Sequence, residues 1–132
     1  MRDKSFDSSQ DTLKEMFELR ESFMMALIKK YPNDNLEWPL DLSNKESQQY
    51  CRDIALRGVE EMFEALGHLK NWKSHRSSEV PEVDHEEFLE EIVDAFNYFL
   101  SLLILCGIDE NKFFEAFIKK DAIIRDRLKS GY

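Results

Sequence analysis

The chain is short of the residues that interrupt regular structure. Its 132 residues include 4 Gly and 3 Pro. Such sparse punctuation leaves long helical stretches, and neither an internal repeat nor a convincing strand stands out. Two cysteines, Cys51 and Cys106, are too few for a disulfide framework, and both fall in apolar helical patterns. They read as buried free thiols in a reducing compartment, so a cytoplasmic setting is expected. Basic charge is also scarce, with 18 Lys+Arg against 27 Asp+Glu and a net charge of −9. This excludes the broad basic face of a sequence-independent nucleic-acid binder. No apolar run is long enough to span a bilayer. The longest, from Ala95 to Ile108, is broken by Asn97 and Ser101. The first ten residues have no apolar signal core and are expected to be a flexible N-terminus.

What is present is apolar, charged and helical. Hydrophobic residues make up 42% and aromatics 12%, too rich for a disordered acidic chain. The length suits one domain, residues 1–132, with a modest core. The pattern predicts four helices and no strand. Helix one is expected from Thr12 to Lys30, opened by a Thr12/Glu15 capping box. The turn residues 31–35 end it, and Leu36, Trp38 and Leu40 in the following loop need a place to pack. Helix two is expected to start at Ser43, with Glu46 completing a second capping box, and to reach Leu69. Asp84 caps helix three, which runs to Cys106 and stops at Gly107. Asp109 caps helix four, which runs to Lys129 before Gly131.

The acidity is local. Residues 79–94 hold eight acids and no Lys or Arg, and the remainder has 19 acids against 18 bases. Helix three is acidic as far as Asp94 and apolar nearly all the way round from Ala95 to Cys106. A helix apolar on all sides is buried on all sides. A single chain of this length has little with which to surround it, so a homodimer is expected.

Carboxylates three residues apart share a helix face. Helix two presents Glu61 and Glu64 in this way, with Glu60 beside them, and helix three presents Glu91 and Asp94. Four like charges brought together are costly unless a cation lies between them. Mg²⁺ prefers oxygen ligands and is commonly held by a few carboxylates together with substrate phosphates. Two such ions can clamp a phosphate chain and activate water for hydrolysis of a phosphoanhydride. A solvated acidic face remains the plain alternative. A di-iron bundle needs Glu-x-x-His motifs on two helices; the only such spacing here, Glu82 to His85, begins in the loop before helix three and has no second copy, so that reading is weak.

The segments VEEMFEAL and EEIVDAFNYF resemble the all-α NTP pyrophosphatase (MazG-like) superfamily. The likeness is greatest to its dimeric dUTPase branch, which includes phage dCTP/dUTP pyrophosphatases. NWKSHR at 71–76, VDAFNYFLS at 93–101 and KKDAIIRDRLKSGY at 119–132 extend the resemblance over about residues 12–132. It implies a four-helix bundle of that type, a homodimer and two or more Mg²⁺ ions per site. It also implies that Glu61, Glu64, Glu91 and Asp94 are metal ligands, with Glu61 or Glu64 orienting the attacking water. Lys73, Lys120 and Arg127 would contact phosphates, and Trp72 would wall the nucleotide pocket. The implied reaction converts a deoxypyrimidine triphosphate, dUTP first and dCTP second, to the monophosphate and pyrophosphate. The chain departs from the branch at Asn97, where relatives carry His, and at Arg20, where a Gln is common. Asp121 and Ile124 replace two asparagines of the C-terminal motif. Asn97 and Arg20 are base-pocket candidates. These departures leave open the same chemistry on a purine or modified dNTP, or a helical interaction module without catalysis.

Overall fold

The computed structural model describes residues 11–32 and 36–131. The expected flexible N-terminus and the turn residues 33–35 lie outside them. Among the described residues the chain is all-α. It forms α1 (Thr12–Lys30), α2 (Lys45–Leu66), α3 (His85–Leu105) and α4 (Glu110–Ser130), with no strand. No single helix among them is long and apolar enough to cross a membrane.

The helix ends show how local chemistry sets the elements. Asp84 and Asp109 cap as expected: Glu87 N donates to Asp84 Oδ1 at 3.1 Å, and Lys112 N to Asp109 Oδ1 at 2.8 Å. Two expected caps move by one residue. The cap of α1 is Asp11, which accepts from Lys14 N at 3.2 Å, and Thr12 is already helical. An aspartate caps at least as well as a threonine, and its charge suits the positive end of the helix dipole. The cap of α2 is Asn44, accepting from Glu46 N at 2.8 Å. Ser43 is diverted, because both its Oγ and its N donate to Asp41 Oδ1, at 2.6 and 3.0 Å.

The last expected turn of α2 is not α-helical. His68 N donates to Ala65 O and Leu69 N to Leu66 O, a tighter i to i+3 pattern beyond Gly67. At the end of α3, Ile108 N donates to Leu103 O and Gly107 N to Ile104 O, with Gly107 at φ +74°. This is a Schellman stop, which needs a left-handed residue at the position Gly107 occupies.

The chain divides into two compact units. One contains the described residues up to Pro39 and those from Leu103 onward, with α1 against α4. Phe17, Met24, Ile104 and Leu105 are its buried apolar side chains. Leu36 and Trp38 are half-buried there, so the loop after α1 does find packing. The second unit spans Leu40–Leu102 and contains α2 and most of α3. Cys51, Ala65, Ala95 and Leu100 are buried in it.

Helix α3 is not covered on every side. Ala95, Leu100, Ser101, Ile104 and Leu105 are buried, but Phe96 is 49% exposed. Neither cysteine is in a disulfide; Cys51 is buried and Cys106 only half-buried, because Cys106 lies just past the helix end rather than within its buried face.

Candidate metal centre

The second unit brings the carboxylate pairs together, and a glycine makes this possible. A Cβ at Gly58 would lie 2.5 Å from Phe99 Cε1. The absent side chain therefore lets the Phe99 ring of α3 press against the α2 backbone. From this close approach the helices run in opposite directions. Glu61 and Glu64 follow Gly58 along α2, while Asp94 and Glu91 precede Phe99 along α3. Farther on, His68 meets Glu91 and Phe88: its Nε2 is 3.0 Å from Glu91 Oε2, and its ring centroid is 6.3 Å from that of Phe88.

Glu61 registers the convergence. It is half-buried, and its carboxyl is pushed above the ordinary value of 4.5. Desolvation is the largest cause, followed by the charge of Glu64, a side-chain hydrogen bond to Glu64, and the charges of Asp94 and Glu91. A hydrogen bond between two carboxyl groups requires a proton on one of them. The fold therefore favours the protonated form of Glu61 more than water does. Glu61 thus lies within reach of the charges of the other three predicted metal ligands.

The other predicted residues are placed variously. Trp72 and Lys73 lie in the segment after α2, with Lys73 Nζ 5.6 Å from the centroid of the Trp72 ring. Trp72 is 74% exposed. Asn71 anchors this segment, its Nδ2 donating to Ser78 O at 2.6 Å and to Glu79 O at 3.3 Å. Asn97 is half-buried on α3. Arg20, Lys120 and Arg127 belong to the first unit. Arg20 is half-buried, with Cζ 4.9 Å from the centroid of Phe23. Lys120 and Arg127 are exposed on α4.

Two residues of interest escape the sequence reading. His68, Glu87 and Glu91 each offer a ligand atom, all within 4.8 Å of one another, so this group can hold a metal ion. His68 is not visible as a ligand because its partners lie on another helix, whereas a Glu-x-x-His search covers one helix only. Glu87 reads as an acid favouring a helix start, although it also stands four residues from Glu91, on the same face.

The first unit has a cavity lined by Phe17, Trp38, Pro39 and Ile104 together with Glu18, Glu21, Asp109 and Glu110. Trp38 Nε1 donates to Glu21 Oε2 at 2.8 Å. So acidic a lining would repel the phosphates of a nucleotide.

No family model, curated protein or solved structure matches the chain.

Proposed function

We propose that the chain is a Mg²⁺-dependent nucleoside triphosphate pyrophosphatase with the four-helix architecture of the all-α family it resembles. One observation carries the reading: the Glu61 carboxyl is raised by desolvation first and then by Glu64, Asp94 and Glu91, so carboxylates of two helices lie near one another. Such a donor set is all oxygen and multiply anionic, which suits Mg²⁺. Bound Mg²⁺ would neutralise triphosphate charge and lower the pKa of a coordinated water. The chain's own contribution is to hold the carboxylates at fixed spacing and, through Glu61 or Glu64, to orient water toward the α-phosphorus. Addition of that water breaks the α–β anhydride and releases monophosphate, pyrophosphate and a proton. Within the second unit, Lys73 would supply positive charge to the phosphates, with Asn97 and Trp72 toward the base; Lys120, Arg127 and Arg20 are candidates by the resemblance alone. dUTP is the first substrate expected and dCTP the second.

The reading includes a homodimer. Helix α4 has no buried residue. Its exposed Phe114, Phe117, Ile118, Ile124 and Leu128 lie on one face at helical spacing, an apolar stripe of the kind helices bury.

The test is pyrophosphate release from each canonical NTP and dNTP, with Mg²⁺ and after chelation. Deoxypyrimidine triphosphates should be hydrolysed only with metal. Glu64→Gln and Asp94→Asn should each lower turnover by roughly 10²-fold or more with helicity retained. If every nucleotide survives in Mg²⁺, or both variants match the parent, the assignment fails.

A further inference from the structure

The His68 group differs in chemistry from the four-carboxylate cluster beside it. We propose that His68, Glu87 and Glu91 form a second cation site, selective for a borderline transition-metal ion such as Co²⁺ or Zn²⁺. It shares Glu91 with the all-oxygen cluster. The proposal stands whether or not the chain hydrolyses nucleotides.

Three observations carry it. The first is placement. The backbone N of His68 donates to Ala65 O at 3.1 Å, and the ring lies beside Phe88, so the imidazole is held rather than loose. Glu87 and Glu91 are one turn apart on α3 and face it, all three ligand atoms lying within 4.8 Å of one another.

The second is spacing. His68 Nε2 and Glu91 Oε2 are 3.0 Å apart. Two ligands each about 2.1 Å from one ion, at right angles, stand about 3.0 Å apart. Glu87 is exposed, so a rotamer change can close the remaining gap.

The third is an unanswered acceptor. Glu91 Oε2 is shut off from solvent and accepts no hydrogen bond. The imidazole nitrogen is within ion-pair distance but makes no directed bond to it. A shielded carboxylate oxygen whose close partner is an imidazole nitrogen without a directed bond is under-satisfied, and a coordinated cation would answer it.

The ligand set then selects the ion. An imidazole nitrogen with two carboxylates suits Co²⁺ and Zn²⁺, whereas Mg²⁺, Ca²⁺ and Mn²⁺ favour oxygen ligands. Three protein ligands also leave positions open for water or a ligand oxygen. Sharing Glu91 would couple the two sites, because one carboxylate can bridge two ions through its two oxygens.

The experiment uses the full chain stripped of metal by chelation. Co²⁺ is titrated in excess Mg²⁺, which keeps the all-oxygen cluster filled, and is followed by calorimetry and visible absorption. One Co²⁺ per chain is expected. Losing even a group that only supports a ligand costs a site roughly 10–100-fold in affinity. His68→Gln and Glu87→Gln should therefore each weaken Co²⁺ by at least about tenfold. A Cys51→Ser/Cys106→Ser variant should bind as the parent does. Glu87 is exposed, so its variant remains informative if His68→Gln folds poorly.

The proposal is overturned if the parent binds no Co²⁺ in excess Mg²⁺, or if both single variants bind it with parental affinity. In that case the His68–Glu91 contact is an ion pair that only joins the helices. Pyrophosphatase activity in Mg²⁺, measured separately, reports on the function proposed above. Loss of either reading is thus distinguishable from loss of the other.

Discussion

Glu61 is where the chemistry of the cluster is most sharply expressed. Desolvation first, and then its carboxylate neighbours, raise its pKa from 4.5. A raised acid is one whose protonated form the fold favours. Its contribution to stability is fully present below the ordinary value and is lost as the pH climbs through the raised one. The metal-free protein should therefore lose thermal stability from mildly acidic toward neutral pH. Glu61→Gln, which cannot ionise, should flatten that part of the profile, and added Mg²⁺ should restore the parent at neutral pH. Melting curves of the two proteins across pH, with and without metal, make the comparison. A parent and variant with parallel profiles would show that Glu61 feels no such field. Asp41 has the opposite sign. The hydroxyl and then the backbone N–H of Ser43 hold its carboxyl below 3.8, so its contribution is present above that value and lost as the pH falls through the lowered one. At this scale the carboxylate pairs were legible, because residues three apart on a helix share a face in any context. Their mutual effect was not, because it arises between helices.

Among the elements, α2 and α3 depend on Gly58. Alanine is the better helix former, by about 1 kcal/mol. At this site its Cβ would meet Phe99 at 2.5 Å, and overpacking typically costs about 1–3 kcal/mol. Gly58→Ala should therefore destabilise the protein or leave it near parental stability, instead of stabilising it as at an open helical site. It should also weaken Mg²⁺ binding, since the helices must part where they hold the carboxylates. Adding Phe99→Leu should recover part of both losses. Denaturant unfolding together with metal titration tests this, and a clear gain in stability for Gly58→Ala would contradict the close approach. Helix existence was readable from apolar periodicity and sparse punctuation, and Asp84, Gly107 and Asp109 mark their boundaries as expected. The caps of α1 and α2 were displaced by one residue because adjacent polar side chains compete for the same orphan amides. Ser43 lost that competition when Asp41 took its hydroxyl.

At the scale of the whole molecule, the concern is apolar surface left uncovered. Helix α4 exposes Phe117 at 62% and Leu128 at 70%. A second copy of the chain would cover the stripe, and a C₂ arrangement is the commonest way for identical surfaces to meet. Sedimentation of the purified chain should give the mass of a dimer. Phe117→Glu, which places a charge in the stripe, should shift it toward monomer or lower its melting temperature. A parent that sediments as a stable monomer at all concentrations would remove the dimer from the proposed function. The overall charge of −9 bears on the same scale. Its most concentrated portion supplies Glu91 and Asp94, so under the proposed function the acidity that would repel a bare triphosphate would, with a divalent cation bound, help to hold one.

The amino-acid sequence by itself determined the all-α class, the number of helices among the described residues, the strongest stops and the pairing of acids within each helix. These follow from interactions over three or four residues, which do not need the rest of the chain. Only the tertiary structure decided that the two pairs converge, that Glu61 holds its proton more tightly, and that His68 stands against Glu87 and Glu91. Those outcomes depend on how closely α2 and α3 approach at Gly58 and on which side chains that approach shields from water. A distance between helices has no signature in local spacing, so the site's electrostatics and its histidine appeared only once the helices were packed.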